Sequence, residues 1–546
     1  GADPTIKNAM SVGVSPLAQL FANATTSGNG GTIVLWSEIA TFFGGQIFAT
    51  GTGVGGNGGL VEVSSHKILQ FNGDVDVSSQ SGLPGELFLD PVSITIQSAS
   101  PDINGNGSGL DITMTTQLNN ATTTPTGFGN AASIITAGAL SGLLTNNVSV
   151  TLAAQTFITV NAPISPAGTN VTLTLEAPTV NLNSPITLAS GGVLNGVGVT
   201  TVNVGPSGKP QNGIDIVASG GTVNLASATY AAPLNILSKN LTLNGNGQAN
   251  TTILMTGAVP AHSGRNPAIY VQDGTDVIIQ NLTVNGNNDG FPVNPSIVGI
   301  FYVNAGGTIA NNHITQIANS VPPYGGGQQG NGIRAISNTG GPYTLNIDSN
   351  LIDFFQKAGI VVNGTQIIGN FSNNVIQGLG VPSSPAGLGI QFSGGIATIS
   401  GNTITGIMFG THNASAGIFV FNTQPNMVIS GNTVIGNDEG IFSQDSGAGL
   451  TINNNVVQNS GDTGIGVVDT SGVTNILSNT LINNGGLAAS GNANSSVYLF
   501  SSVNELFNVI NNSTMPAAAT PALFTQGNAA NQAPVVDLMG NAYIDP

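Results

Sequence analysis

Apolar residues along this chain of 546 residues alternate with Thr, Ser and Asn in short runs, as in Thr222-Val-Asn-Leu225 and Thr398-Ile-Ser400. Period-two alternation predicts strands with one buried face. From residue 268 on, the strands recur in a fixed order. A Gly-Ile pair opens an apolar strand at Gly299-Ile300, Gly332-Ile333, Gly359-Ile360, Gly389-Ile390, Gly417-Ile418, Gly440-Ile441 and Gly464-Ile465, with Ala268-Ile269 a looser first copy. Some 13 to 18 residues later comes an apolar-x-x-Asn-x-apolar element, around Asn312, Asn350, Asn374, Asn402, Asn432, Asn455 and Asn479, with Asn281 a loose fit. Successive Asn are 31, 38, 24, 28, 30, 23 and 24 apart, so the shortest spacings are the bare coil and the excess is inserted loop. Such repeats predict an all-β solenoid, a parallel β-helix of about 20 coils spaced about 4.8 Å apart. Stacked Ile fills its interior, and stacked Asn at a bend can bond along the column as amide ladders do.

The N-terminal part repeats differently, as Gly-Gly followed by an apolar strand at 30–37, 44–51 and 58–65. Residues 97–147 are the least regular, with 121–128 expected as a loop. The expected organisation is a lead-in over 1–27, coils over 28–200, a second block of coils over 201–500 with loops on one face, and a cap or tail over 501–546. An open β-helix end must be blunted.

Composition narrows the function. Charged residues are 6% of the chain while 40% is hydrophobic, which excludes a solvated disordered chain. The balance of 24 acidic against 7 basic residues, a formal charge of −17, disfavours nucleic acid and anionic membrane surfaces as partners. Without Cys there are no disulfides and no thiolate chemistry. No apolar run is long enough for a membrane-spanning helix. The Gly1–Lys7 start has no basic-plus-apolar signal, so a removed leader or a fragment of a longer protein is expected.

Two resemblances follow from quoted residues. The stretch from Gln211 to Ile253, with GIDIVASGG, TVNLASATY and GNGQANTTI, together with the Gly-Ile and Asn repeats, resembles the opening of the pectate-lyase-like right-handed β-helices over about 205–500. The Gly-Gly strands, Leu89-Asp90-Pro91 and the strands at 158–189 resemble filamentous-haemagglutinin-type exoproteins over about 28–200. The first implies a right-handed β-helix of the kind shared by polysaccharide enzymes, adhesins and tailspikes. The second implies two-partner secretion, an outer-membrane transporter during export, and an extracellular or bacterial cell-surface location.

Lyases of the first family use an Arg or Lys base beside acidic residues that bind calcium. Here Arg334, with Asp348 and Asp353 one strand later, is the weak catalytic candidate, against the blander reading of a solvated Arg paired with a carboxylate. A more ordered feature is acidic. Asp438 and Asp462 each lie two residues before a repeat Gly, and Asp445 and Asp469 each lie five after it, so adjacent coils stack Asp on Asp. Such pairs suit calcium, a carboxylate pair for glycoside cleavage, or plain solvated turns. Four coils carry excess length between the Asn and the next Gly-Ile, which places loops on one side of the solenoid. These loops hold Asn287, Asp289, Phe291, Tyr324, Gln328, Gln329, Phe409 and His412, aromatic and amide groups suited to a glycan or protein receptor, and the scarcity of cations there disfavours an acidic ligand. The expected function is a secreted or surface-exposed adhesin or scaffold. The alternatives are a polysaccharide-binding or polysaccharide-cleaving β-helix and a self-assembling filament subunit.

Overall fold

A computed structural model describes residues 7–98, 133–256, 260–287, 296–318, 329–380, 386–409, 415–486, 495–501, 505–510, 512–517, 520–527 and 535–543. The chain divides into two compact units, Gly1–Ala226 and Ser227–Pro546.

In the second unit the chain visits three parallel sheets in strict rotation. Thr283–Asn285 belongs to one sheet, Ile297–Val303 to the next and Gly307–Ala310 to another, and His313–Thr315 then pairs with Thr283–Asn285 one coil on. We call the sheet of Ile297–Val303 the first, that of Gly307–Ala310 the second and that of His313–Thr315 the third. Among the described residues the first has 11 strands and the third 12, every pairing parallel. This is the parallel β-helix that the repeats predict.

The interior consists of columns of identical or similar residues. Ile300, Ile333, Ile360, Ile390, Ile418, Ile441 and Ile465 stack in register on the first sheet, all fully buried. Ile314, Ile352, Ile376, Ile404, Val434, Val457 and Leu481 do the same on the third. Burying each such side chain stabilises by about 1.5–3 kcal/mol. The Gly of each Gly-Ile lies near the start of its first-sheet strand, directly before the inward Ile. A Cβ on Gly440 would lie 2.3 Å from Val457 Cγ1 and 2.4 Å from the Gly464 carbonyl oxygen, so the strand has no room for one there.

The Asn column is an inward ladder. Asn312, Asn350, Asn374, Asn402, Asn432, Asn455, Asn479 and Asn512 are at most 2% exposed. Each amide Nδ2 donates to the Oδ1 of the next, at 2.9 Å for Asn374 to Asn402 and for Asn402 to Asn432. The same Nδ2 also reaches a carbonyl of the neighbouring coil, as Asn432 does to Ile399 at 2.9 Å. Asn281 does not belong to this ladder. Leu282 occupies its position and donates its backbone N–H to Asn312 Oδ1, while Asn281 is the left-handed residue just before it (φ 60°).

The first unit is also built from parallel coils, with Thr32–Ser37, Leu60–Ser65, Glu86–Leu89, Ser149–Ala153, Thr172–Glu176 and Val193–Val197 forming one sheet in sequence order. A second sheet departs from that order. Its strand Ser133–Thr136 lies between Ile68–Phe71 and Ser93–Gln97, which come earlier in the chain. Helix α1 (Ala137–Thr145) follows, capped by Thr136 Oγ1 accepting from the Ala139 N–H at 3.1 Å, with Leu140, Leu143 and Leu144 buried. Helix α2 (Pro210–Ile216) starts with Pro at its first turn and buries Ile214 and Ile216.

Candidate functional site

The outer face of the first sheet, over the coils from 415 to 527, carries aromatic and acidic side chains in register. Residues that directly follow the inward Ile point outward and stack in register: Phe419 on Phe442, Phe442 on Gly466, Gly466 on Tyr498 and Tyr498 on Phe524. The Phe419 and Phe442 rings are 6.1 Å apart, Phe419 and Phe421 6.2 Å, and Tyr498 and Phe524 6.0 Å, all stacked. A Cβ on Gly466 would come within 2.5 Å of Phe442 Cδ2, so the Phe442 ring lies down on that glycine. Phe421 and Phe524 are 37% and 38% exposed, and Phe419, Phe442 and Tyr498 are half-buried. The result is a stripe of ring faces left partly open to water.

One edge of this stripe is acidic. Asp438 and Asp462 lie immediately before the strands Glu439–Gln444 and Thr463–Val468, in adjacent coils joined by the Asp462 N–H donating to the Asp438 carbonyl at 2.8 Å. Both are buried, and Asp438 Oδ2 accepts the Phe409 N–H at 2.7 Å. Asp462 Oδ1 is buried with no hydrogen-bond partner. Glu439, in register with Ala416 and Thr463, joins them. Burial, then the charges of Asp462 and Asp438, push its carboxyl up to about 8. Burial and Asp438 push Asp462 up to about 6. Crowding three carboxyls into one corner, with burial and their mutual charge, opposes ionising them together. Burial, followed by the charges of Asp462 and Asp469, also raises the Tyr498 hydroxyl.

At the opposite edge, Asp445 and Asp469 stack as the sequence predicts, in a groove of about 600 Å³ shared with Asn422, Thr423, Gln424 and Ser446. Their alignment has a backbone cause. This turn needs a left-handed residue in most coils, filled by Asp273, Asn304, Asn422, Asp445 and Asp469 with φ of 47–57°. Asp and Asn tolerate that conformation. A six-residue strand separates these two aspartates from Asp438 and Asp462, so the four do not form one ligand set. Among the described residues no group of three or more His, Asp or Glu side chains is arranged to hold a metal ion.

The other sequence candidates are dispersed. Ile333 is fully buried and Arg334 faces outward, half-buried, on the first sheet. Asp348 ends a second-sheet strand, and burial is outweighed there by Ser372, Ser349 and Asn373, whose hydrogen bonds hold its carboxyl below the usual range. Asp353 pairs with His313 at 3.1 Å. Neither aspartate is engaged with Arg334. Each of the four long connections leaves the third sheet and enters the first. Within them, Asn287 is a left-handed turn residue held by Asn285 and Met255, Gln329 is half-buried and Phe409 is bonded to Asp438. Asp289, Phe291, Tyr324, Gln328 and His412 lie outside the described residues.

A family model described as a right-handed β-helix region matches residues 331–512. The chain carries a right-handed β-helix. No curated protein matches it in sequence. Among solved structures it is similar to the A-module of the mannuronan C-5 epimerase AlgE4 of Azotobacter vinelandii, at 16% identity over 59% of this chain and 87% of that one, with a TM-score of 0.43. It is similar to tailspike protein 2 of bacteriophage CBA120 at 14% identity, over 60% of this chain and 43% of that one, with a TM-score of 0.28. A double mutant of the periplasmic alginate epimerase AlgG matches at 11% identity over 72% and 78%, with a TM-score of 0.25. At these levels they are likenesses of fold and carry no activity over to this right-handed β-helix.

Proposed function

We propose that this β-helix is an attachment protein, displayed outside the cell or on a bacterial surface, that holds a glycan chain or a protein receptor against the outer face of its first sheet. The carrying observation is the stripe of partly open rings from Phe419 to Phe524, kept in line by parallel register. Flat apolar faces with polar neighbours suit sugar rings, and large aromatic residues dominate protein contacts. The resemblance of 28–200 to two-partner-secretion exoproteins supports export through an outer-membrane transporter. The test is a glycan array and a cell-adhesion assay on the chain and on its Phe419→Ala, Phe442→Ala and Tyr498→Ala variants, with circular dichroism confirming an unchanged strand signal. Binding lost in these variants supports the reading. Undiminished binding, lost instead on replacing Asn346 and Asn370 on the second sheet, overturns it.

A second reading, cleavage of the bound polysaccharide, is favoured by the corner of Asp438, Glu439 and Asp462 beside the rings. A carboxyl whose pKa is raised by burial and neighbouring charge, next to other carboxyls, is the arrangement of an acid–base pair. Release of reducing ends that disappears in Glu439→Gln while binding persists would establish it.

A further inference from the structure

No Lys or Arg follows Lys357 in the sequence, so the coils that carry the aromatic stripe contain carboxylates as their only Asp, Glu, Lys or Arg side chains. Two of these carboxylates stand at the open edge of the stripe. Phe421, partly open to water, stacks on Phe419 and pairs in register with Gln444. Asp445 directly follows Gln444, which places it one coil across and one residue along from Phe421. Gln444 in turn pairs with Val468, and Asp469 directly follows Val468. The Asp445 N–H donates to the Val468 carbonyl at 3.0 Å, which fixes the two aspartates in adjacent coils. Asp445 is exposed and Asp469 half-buried. Gln444 Nε2 donates to Asp445 Oδ2 at 3.3 Å, so ring faces, amide and carboxylates follow one another across one open surface.

The left-handed turn explains where these aspartates sit but not their charge, because Asn304 and Asn422 fill the same turn. Stacked carboxylates repel unless a cation lies between them. Thr423, 7% exposed, lines the same groove, and its Oγ1 has no hydrogen-bond partner among the described residues. The groove thus presents acceptors, which an ammonium with its three donors satisfies. Calcium takes six to eight oxygens, and among the described residues these aspartates belong to no metal-holding group of three or more acidic or His side chains.

We propose that the stripe and this groove together bind an amino-sugar glycan, a hexosamine chain with free amines. Its rings stack on Phe419, Phe421 and Phe442, and its ammonium groups are held by Asp445 and Asp469. This inference rests on the attachment reading and names the ligand class for it. A hexosamine carries a flat apolar face and an ammonium on one rigid ring, which matches ring faces bordered by carboxylates. A basic peptide carries its charge on the flexible stem of Lys, which has to be ordered on binding. The chain's formal charge of −17 attracts such a glycan at long range and repels uronates and sulfated sugars.

The test is isothermal titration of the full chain with a β-linked glucosamine hexamer, its fully N-acetylated counterpart and hexalysine. Low ionic strength and a mildly acidic buffer keep the sugar amines protonated. The glucosamine hexamer is expected to bind about fivefold or more tightly than the acetylated one, and added salt should shrink the difference. Asp445→Asn with Asp469→Asn keeps residues that tolerate the left-handed turn, and should bring the glucosamine hexamer down to the affinity of the acetylated one. Phe442→Ala should weaken both sugars. If the two hexamers bind alike and both are lost in Phe442→Ala, this inference is overturned while the attachment reading stands. A preference that survives the double substitution also overturns it. Hexalysine bound more tightly than the glucosamine hexamer overturns it in favour of a basic protein partner. Binding of neither hexamer overturns it too, and the glycan array then judges the attachment reading on its own.

Discussion

Single residues in this molecule act through the column they belong to. Asn432 accepts the N–H and Nδ2 of Asn402 and donates to Ile399 and Asn455. Asn432→Ala leaves buried donors of Asn402 unsatisfied and is expected to cost on the order of 3 kcal/mol in urea unfolding. Asn370, which pairs with Asn346 on the exposed outer face, should cost less than about 0.5 kcal/mol on the same change. The ladder was legible because its Asn recur at coil spacing. Asn281 misled because a left-handed Asn also fits that place, and the spacing alone does not distinguish it from the interior position one residue on. Glu439 is the clearest single-residue pH sensor. Its carboxyl is raised to about 8 in the fold against an ordinary 4.5, so the folded state holds the proton longer than the unfolded chain. Its contribution to stability is intact below the ordinary range and is lost as pH rises from there through the folded value. Glu439→Gln should flatten the fall in melting temperature across that window and leave acid stability unchanged, as read by calorimetry.

At the scale of the strand, the Gly-Ile unit states more than the core. Gly, or Ala268 in the first copy, leaves room for the neighbouring coils, Ile fills the interior, and the next residue faces out: Tyr270, Phe301, Arg334, Val361, Gln391, Phe419, Phe442 and Gly466. The aromatic stripe was therefore present in the repeat, one position past the pair, and a reading centred on loop insertions looked beside it. Asp445 and Asp469 were legible as a stack, but the left-handed turn accounts for their position without a ligand. The tight packing at the Gly is testable. Gly440→Ala drives a methyl onto Val457 and the Gly464 carbonyl and should cost about 1–3 kcal/mol. Ser443→Ala on the same strand removes a hydroxyl that bonds Ser446 and should cost about 1 kcal/mol, giving an internal scale in the same unfolding experiment.

Across the whole molecule, contacts within the second unit link each coil chiefly to the coils above and below it, so stability there is a sum of neighbour terms. Ile441→Ala, which empties one level of a continuous column, should remove about 2–5 kcal/mol locally. Amide exchange is expected to speed up in strands from 416 to 468 and to return to the parent rate by Asn266–Gln272, as measured by mass spectrometry. Uniform acceleration through the second unit would show instead that its coils unfold together. The out-of-order strand Ser133–Thr136 of the first unit sets a further condition, in time rather than energy. A ribosome delivers Ser93–Gln97 well before Ser133–Thr136, yet the later strand must come to rest between Ile68–Phe71 and Ser93–Gln97. Those two strands cannot simply zip together as they emerge. At about 5–20 residues per second the nascent chain must keep that slot open for roughly 2–8 s. This interval is when a premature pairing, or a chaperone that prevents one, decides whether the first unit is threaded correctly.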